Sequence, residues 1–391
     1  AIRLIFEFSL VTAVLSAYFV VFVYDYIMKK NNIVKYLSIL LLILVLFSPF
    51  SFAKGIVIKH YDQTYNQAIY SGPGYTQQWQ TAGKWVRDNT KSDSVFAHWW
   101  DYGYWVQSGF ERPTITDGGN AIGWWNYLMA RDVLTAQNFT EPLNYLYTHS
   151  ADYLLAVSDD IGKYPAYSSI GSDKRGDRYS YLTNFNLDNS AVQETKDGVI
   201  FLYRGGFYLD ENLVYNEKVY PAGKAAIGGI ILPFKNLQSN GTVDPSLGKE
   251  VQQPVAILFY NGQQINLPMR CIYIDKLYEF ENYSYGGCLR ILPVIQNNQI
   301  NWMGSSILVS RKVVDGLFAR LYLFNQKNPY FELVYDDSNT IPLSLYAGRI
   351  IGPIRIWKIN YPDNIKLTDS ELNYYLAKDY PDLSLNQPFT I

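Results

Sequence analysis

The chain opens with two long apolar stretches. Leu4 to Tyr24 is apolar apart from Glu7 and a few small polar residues, and Tyr36 to Ala53 carries no charge. An α-helix needs roughly 20 predominantly apolar residues to cross a bilayer. We therefore expect residues 1–54 to form two transmembrane helices. Two buried core helices are the alternative.

Three lysines between these stretches predict an orientation. Lys29, Lys30 and Lys35 fall in or beside a short loop near residues 25–35, and a short basic loop belongs on the cytoplasmic side. The residues that follow the second span then face outward. This pattern predicts a multi-pass protein of the plasma membrane, in contact with membrane lipid, whose globular part is extracellular. Because the sequence begins inside an apolar segment, we expect it to be the C-terminal part of a longer membrane protein.

Helical and strand-like patterns alternate after the spans. Residues 55–74 are expected to form a linker that leads away from the membrane. The elements expected next are a helix at Gln77–Asn89, a strand at Ser94–Ala97, a helix at Ala121–Ala136 and a strand at Tyr153–Val157. Strands alternating with helices predict an α/β central domain over residues 55–210, in which ligands bind at the loops that follow the strands.

The pattern changes at residue 211 to short apolar runs separated by turn residues. Asn261-Gly262 is a type I′ hairpin signal, and Asn297-Asn298 predicts another turn. These features predict a β-rich module at residues 211–310. Val313 to Leu323 then has the pattern of a helix, and residues 311–391 are expected to return to the central domain and end in a tail.

Charge and cysteine content narrow the classes of function. The net charge of −2 argues against nucleic acid as a general partner. The two cysteines, Cys271 and Cys288, both fall in the outward-facing β-rich region with no histidine near them in sequence. An extracellular pair of this kind favours a disulfide over a metal site. The 35 tyrosines suit a surface that stacks on sugars, although tyrosine-rich β domains also occur without a ligand.

A cluster of five residues carries the candidate chemistry: Trp99, Trp100, Asp101, Tyr102 and Gly103. Two indole N–H donors precede one carboxylate, which only accepts hydrogen bonds when it is ionised. Gly103 is expected to let the backbone turn tightly beside the bulky side chains. Such a cluster can hold one small hydroxyl group, with Asp101 accepting its proton and an indole N–H donating to its oxygen. An aromatic core turn around a satisfied aspartate is the alternative.

This pentapeptide resembles the signature of the oligosaccharyltransferase catalytic subunit family, which N-glycosylates Asn-X-Ser/Thr sequons. The sequences Gly-Phe-Glu-Arg-Pro-Thr at 109–114 and Asp-Gly-Gly-Asn at 117–120 look like the continuation of that motif in the archaeal members. The resemblance implies that Trp99, Trp100 and Asp101 bind the Ser/Thr hydroxyl two residues after the acceptor Asn, with Tyr102 and Gly103 completing the motif.

A second loop, after the strand expected at residues 153–157, resembles another motif of the family. Asp160 and Lys163 match Asp-x-x-Lys-x-x-x-Met/Ile, and Tyr167 stands at the last position. In the family that last residue lines the apolar side of the Ser/Thr pocket. Its replacement by tyrosine leaves a preference for Thr over Ser open, and Ile170 lies close enough in sequence to take the role.

The resemblance also has implications for the donor and for a metal. In the family an arginine at the start of the corresponding helix contacts the pyrophosphate of the lipid-linked donor. Arg3 is placed for that contact, and pairing with Glu7 one turn away is its alternative. The family uses a divalent metal, Mn or Mg, whose ligands lie in loops that would precede residue 1 here. We expect no metal site in this chain, since His98 and Asp101 would supply only two ligands.

These expectations describe the C-terminal part of a membrane oligosaccharyltransferase, and we expect that enzyme to work as a single subunit. It would transfer a glycan from a dolichol-type lipid-linked oligosaccharide to the Asn of sequons in acceptor polypeptides. By itself the chain is expected to recognise acceptors without glycosylating them. Two other classes compete: a membrane-anchored noncatalytic glycan-binding protein of the cell surface, and another polytopic lipid-dependent glycosyltransferase. Binding of peptides that depends on a Ser or Thr two residues after the Asn would distinguish the oligosaccharyltransferase from both of these classes.

Overall fold

The computed structural model describes residues 2–50, 54–71, 74–235, 251–297 and 299–380, and for residues 2–7 and 70–71 it describes the backbone alone. Contacts between residues divide the chain into two compact units, Ala1–Thr76 and Gln77–Ile391.

The first unit is helical in its described residues. Its helices are Ile2–Met28, Asn32–Phe47 and Ile56–Ser71. The Asn31 side chain caps the second helix by accepting a hydrogen bond of 3.0 Å from the Val34 N–H. The third helix occupies the stretch that we expected to be a linker, so that expectation is wrong. No glycine or proline falls between residues 56 and 71, whereas Gly55 precedes them and Gly72-Pro73 follows, so the turn-forming residues flank the helix instead of interrupting it.

One helix in the described part of the first unit, Phe8–Met28, is long and apolar enough to cross a bilayer by length and composition. The second helix ends at Phe47 and has 16 residues. At 1.5 Å per residue it is about 24 Å long, less than the roughly 30 Å of a hydrocarbon core. The helix is therefore shorter than the span we predicted to Ala53. Pro49 explains its end, because the residue before a proline disfavours helical geometry. Residues 51–53 lie outside the described ranges.

The second unit contains a small central sheet of mixed direction. Its strands, in spatial order, are Val95–Ala97, Ala151–Ala156, Arg355–Ile359 and Phe331–Asp336. The first two pair in parallel and the other neighbours are antiparallel. The helices around it are Gln77–Asn89, Gly123–Leu128, Glu141–Thr148, Asp159–Ile170 and Asp369–Leu376, with a π-helix at Met129–Leu134. The expected helices at 77–89 and 121–136 and the strands at 94–97 and 153–157 are thus present, within a few residues at their ends.

A larger, mainly antiparallel sheet makes the protein β-rich. Among the described residues its strands are Thr183–Leu187, Gln193–Thr195, Gly198–Tyr208, Ala226–Lys235, Val255–Tyr260, Gln263–Tyr273, Leu277–Glu279, Tyr285–Gln296, Gln299–Val309, Ser344–Tyr346 and Arg349–Ile351. A separate hairpin joins Leu213–Tyr215 to Lys218–Tyr220. The hairpin turn predicted at Asn261-Gly262 is present: both residues have positive φ, and Tyr260 pairs with Gln263.

Seven strands of the large sheet close on themselves. Antiparallel pairing runs from Gln263–Tyr273 through five other strands to Tyr285–Gln296, which then pairs in parallel with Gln263–Tyr273. We call this closed set the barrel. One hydrophobic cluster fills it with side chains from all seven strands, among them Phe185, Tyr203, Ile230, Leu258, Met269, Leu289 and Leu308. Cys271 and Cys288 are partners in the closing pair and are joined by a disulfide.

The boundary between the central domain and the β-rich part differs from our expectation of residue 211. The large sheet already contains Thr183–Leu187 and Gly198–Tyr208. The second of these strands has a bulge between Arg204 and Phe207, at Gly205-Gly206. A bulge breaks the alternation of inward and outward residues by which a strand is recognised in sequence.

The returning helix predicted at Val313–Leu323 is divided into two short segments. An α-helix covers Arg311–Val314 and a π-helix covers Ala319–Leu323. Gly316, a poor helix former, lies between them. Beyond them the chain contributes strands to both sheets, and residues 381–391 of the predicted tail lie outside the described ranges.

Candidate functional site

The two motif loops meet because their strands are neighbours. Val95–Ala97 leads into the Trp99–Gly103 cluster, and Ala151–Ala156 leads into the helix Asp159–Ile170. These strands pair in parallel, so the loops that follow them leave the sheet at the same edge. Residues about sixty positions apart in sequence are thereby brought into contact.

The first loop turns directly into a short helical segment. Trp99 is extended, Trp100–Tyr102 form a 3₁₀ turn, and the segment continues to Phe110, where Glu111 ends it with φ of 59°. Gly103 has an ordinary helical φ of −54°, so our explanation that it permits a tight turn is wrong. A Cβ on Gly103 would lie 2.4 Å from the Cα of Asp117, so glycine is required there because another backbone segment approaches closely.

Lys163 links the two motifs. Its Nζ lies 2.8 Å from Oδ2 of Asp101 and 2.6 Å from Oδ2 of Asp159, one helical turn away. The ammonium group also lies 4.5 Å from the centre of the Tyr102 ring. The Asp101 side chain keeps 25% of its surface exposed, so its carboxylate remains accessible to a ligand from solvent.

Asp160 has a different environment from Asp159. It is buried, and its carboxylate accepts hydrogen bonds of 3.0 Å from the Tyr102 hydroxyl and 3.0 Å from the Val157 N–H. Burial raises the pKa of Asp160 to about 7, although both hydrogen bonds favour the ionised form. Asp160 therefore fixes the position of Tyr102 and, unlike Asp101, is closed to solvent.

Aromatic rings pack behind the carboxylates. Trp99 is buried, and its ring centre lies 5.6 Å from that of Tyr167, the residue that replaces Met or Ile of the family motif. Tyr167 is also buried, and within the described residues its hydroxyl has no hydrogen-bond partner. Trp100 is partly exposed beside Asp101. The side of the site next to Trp99 is therefore apolar and closed, whereas the side next to Trp100 is open.

His98 is a packed residue. It is fully buried, its Nδ1 lies 2.8 Å from the Trp99 carbonyl oxygen, and burial lowers its pKa to about 4. A neutral imidazole that donates from Nδ1 satisfies this contact. Asp101 pairs with Lys163 and not with His98. Throughout the described ranges, no group of three His, Cys, Asp or Glu side chains is arranged to hold a metal ion.

Two contributors to the site were missed by the sequence analysis. Asp159 is the second partner of Lys163, and its spacing of four residues on a helix could have indicated the pair. Trp79, on the helix Gln77–Asn89, stacks on Tyr102 with ring centres 5.6 Å apart, and no local sequence signal indicates that contact. The Arg3 side chain lies outside the described residues.

The buried Asp160 links stability to pH. Its folded-state pKa of about 7 lies above the ordinary value of 3.8, so the folded protein retains this proton between these two pH values while the unfolded chain has lost it. The free energy of unfolding should therefore fall as the pH rises through this window. Above the window, where Asp160 is ionised in the folded protein too, the full loss of stability is present. We expect Asp160→Asn, which keeps an acceptor for the Val157 N–H, to reduce that fall, measured as the melting temperature at a series of pH values.

Asp159→Asn is the matched control, because the Asp159 side chain is 63% exposed. Its pH profile should follow that of the unmodified protein. Superimposable profiles for all three proteins would contradict a raised pKa at Asp160.

The chain is similar to several known proteins. The family model of the STT3/PglB/AglB core domain matches residues 91–204, which include both motif loops. Dolichyl-phosphooligosaccharide-protein glycotransferase 2 of Pyrococcus horikoshii is 22% identical over 338 residues, which cover 82% of this chain and 40% of the relative. Dolichyl-phosphooligosaccharide-protein glycotransferase 1 of Pyrococcus furiosus is 33% identical over 98 residues, covering 25% of this chain and 10% of the relative.

A solved structure shows a weaker similarity. The C-terminal globular domain of an oligosaccharyltransferase from Pyrococcus abyssi aligns with 72% of this chain and 50% of its own length, at 14% identity and a TM-score of 0.35. The chain spans less than half the length of the two glycotransferases that it matches. Residues 91–204 thus match the STT3/PglB/AglB core domain, and the chain is similar in sequence to two archaeal glycotransferases.

Proposed function

We propose that this chain is the acceptor-selecting part of an oligosaccharyltransferase, which transfers a glycan from a dolichol-type lipid-linked donor to the Asn of Asn-X-Ser/Thr. The observation that carries the proposal is the 2.8 Å contact between Asp101 and Lys163, which joins the two family motifs around one accessible carboxylate. Both glycotransferases compared above are named for dolichyl-phosphooligosaccharide and protein, which supports the class of donor and acceptor.

Asp101 is proposed to accept the proton of the +2 Ser/Thr hydroxyl. Lys163 contacts its Oδ2, and a carboxylate has about four acceptor positions, so Oδ1 remains for the ligand. The indole N–H of the partly exposed Trp100 is suited to donate to the hydroxyl oxygen. Tyr167 closes the apolar side through its contact with Trp99, and so limits the room for the methyl group of Thr.

Lys163 and its partners have a positioning role in this proposal. The ammonium group holds the Asp101 carboxylate in position, while Asp159 is its second partner and Asp160 anchors Tyr102. A hydroxyl held in this way fixes the acceptor Asn two residues earlier. Its amide nitrogen is a weak nucleophile because its lone pair is delocalised into the carbonyl, so correct placement is a substantial part of the catalytic task.

The complete enzyme is proposed to use a divalent metal, Mn or Mg, to stabilise the departing pyrophosphate. We propose that the ligands of this ion lie in other parts of the enzyme. We likewise assign the carboxylates that engage the amide to other parts of the enzyme, and Arg3 to the donor pyrophosphate.

The enzyme is proposed to be a multi-pass protein of the plasma membrane that works as a single subunit, with the second unit outside the cell. The helix Phe8–Met28 supports membrane attachment. The Cys271–Cys288 disulfide supports exposure of the second unit to an oxidising compartment.

The test of this function is a titration of the chain, in detergent, with otherwise identical Asn-X-Thr and Asn-X-Ala peptides. We expect Asn-X-Thr to bind about tenfold or more tightly, because Asn-X-Ala leaves a charged acceptor without its hydrogen bond. Absolute affinity should be low, since a flexible peptide loses freedom on docking to a site that is open on one side. Isothermal titration calorimetry measures both dissociation constants.

Lipid-linked donor and Mn²⁺ are then added to the peptide complex. Without the other parts of the enzyme, no glycopeptide should form. Equal affinities for the two peptides would contradict the hydroxyl site and favour a glycan-binding protein or a different glycosyltransferase. Glycopeptide made by the purified chain would show that its own residues supply the groups assigned elsewhere.

A further inference from the structure

A cavity of about 280 Å³ lies in the second unit, and none of its lining residues belongs to the Asp101 site. It is formed by the strands Tyr285–Gln296 and Gln299–Val309 together with the segments around residues 338–343 and 355. Its walls are largely apolar, with Ile291, Trp302, Met303 and Leu343 among them. Arg290 and Arg355 also line the cavity. Two arginines are unusual in a cavity whose other side chains are mostly apolar.

Arg290 lacks an acidic partner. Its Nη1 donates to the Ile274 carbonyl oxygen at 3.0 Å, and its guanidinium lies 4.0 Å from the centre of the Tyr273 ring. Its Nε is inaccessible to solvent and, across the described ranges, has no hydrogen-bond partner, and the ion pairs found there do not include Arg290. A guanidinium has five N–H donors, so most of its hydrogen-bonding capacity is unused within the fold.

The positive charge of Arg355, in contrast, is balanced by a carboxylate. Its Nε lies 3.2 Å from Oδ2 of Asp336, and its Nη1 donates to the Tyr322 carbonyl oxygen at 2.8 Å. The cavity therefore has two guanidinium groups at its wall and one carboxylate to balance them. One positive charge is therefore left without a partner. Desolvation, together with repulsion from the positive charge of Arg355, lowers the pKa of Arg290 to about 10.

Arg290 is half-buried, and a partly desolvated cation without a counter-ion is unfavourable because no nearby negative charge offsets its loss of hydration. A ligand that brings one negative charge would remove that cost. The planar fork of a guanidinium matches a carboxylate with two parallel N–H···O bonds. The apolar walls would contact a hydrocarbon or aromatic body, and the volume lies near the lower end of ligand pockets, at roughly 300 Å³.

We propose that this cavity binds a small monoanionic carboxylate with an apolar body, whose carboxylate pairs with Arg290. The single unpaired guanidinium sets the charge of the ligand, and the volume of about 280 Å³ corresponds to a body about the size of an aromatic acid. The site is independent of the acceptor site, so the two proposals succeed or fail separately.

The experiment uses the full chain in detergent and sodium benzoate as the probe, followed by calorimetry and by the melting temperature. Benzoate should bind saturably and raise the melting temperature, whereas benzamide, its neutral counterpart, should do neither. Inorganic phosphate should be a much weaker ligand because it lacks the apolar body. Arg290→Gln should weaken benzoate binding by about tenfold or more, the loss expected for a charge-assisted bidentate contact.

Arg204→Gln is the matched control. Arg204 also lies on a barrel strand, but its side chain is 65% exposed and pairs with Asp188. It should bind benzoate as the unmodified chain does. If Arg290→Gln does not fold, Leu343→Phe tests the cavity by filling its wall while the charge remains, and should also weaken binding.

Absence of saturable benzoate binding would overturn the proposal, as would equal binding of benzamide. Benzoate affinity unchanged in both Arg290→Gln and Leu343→Phe would show that the anion binds elsewhere. Phosphate binding as tight as that of benzoate would refute the requirement for an apolar body.

Discussion

Replacing Asp101 by alanine in the complete enzyme is expected to lower kcat/KM for Asn-X-Thr peptides by about 100-fold or more. The variant removes the carboxylate proposed to accept the hydroxyl proton, and loss of a hydrogen bond to a charged group costs about 1.5–3 kcal/mol. It also leaves the Lys163 ammonium with one carboxylate partner instead of two. Initial rates of glycopeptide formation over a range of peptide concentrations measure the effect.

Two further variants distinguish the loss of the Asp101 carboxylate from the loss of one partner of Lys163. Asp159→Ala also deprives Lys163 of one partner but leaves the Asp101 carboxylate in place, and should reduce kcat/KM far less. Asp101→Asn keeps the shape of the side chain and removes its charge, and should resemble Asp101→Ala. Melting temperatures close to that of the unmodified enzyme establish that the fold is intact. Near-normal turnover by a folded Asp101→Ala enzyme would refute the proposed role of this carboxylate.

Removing the disulfide should have the largest effect on stability. Cys271→Ala/Cys288→Ala opens a loop whose ends are 17 residues apart and should lower the free energy of unfolding of the second unit by about 3 kcal/mol in the chain-entropy model. The double variant avoids leaving a free thiol. Guanidinium unfolding followed by tryptophan fluorescence measures the change, because seven of the nine Trp fall between residues 79 and 125 and the other two also lie in the second unit.

The unmodified protein in reducing agent is the control and should unfold like the double variant. Peptide binding at the Asp101 site should be retained in both, since the disulfide lies in the barrel and the acceptor motifs follow strands of the central sheet. Free thiols detected by mass spectrometry under non-reducing conditions, or unfolding curves that coincide with and without the bond, would contradict this expectation.

Local sequence patterns predicted those features that depend on neighbouring residues. The strand before Trp99 and the helix at Gln77–Asn89 follow from runs of apolar residues at a fixed period, and the Asn261-Gly262 turn follows from two residues that tolerate positive φ. The candidate site was indicated by two indoles beside one carboxylate and by the resemblance of its two motifs to those of a known family. Their direct contact through Lys163 depends on the parallel pairing of those strands, which is a long-range property.

The features that sequence patterns missed depend on contacts between distant segments. The closure of the barrel pairs residues 269–273 with 285–290 in parallel, and nothing local distinguishes that arrangement from an open meander. Trp79 reaches Tyr102 only because a whole helix packs beside the motif. The helix at Ile56–Ser71 was missed for a different reason: the predicted linker at 55–74 contains glycines, and these all lie outside the helix.

Closure of the barrel also affects how the protein behaves towards other copies of itself. An open sheet exposes unpaired N–H and C=O groups along its outermost strands, and these can template pairing with another chain. Each of the seven barrel strands has a neighbour on both sides, so none of them presents such an edge. Reduction of Cys271–Cys288 would weaken the one parallel pair that completes the ring. If that pair opened, its two strands would expose unpaired backbone groups to other copies of the protein, so the covalent bond across it opposes aggregation as well as stabilising the fold.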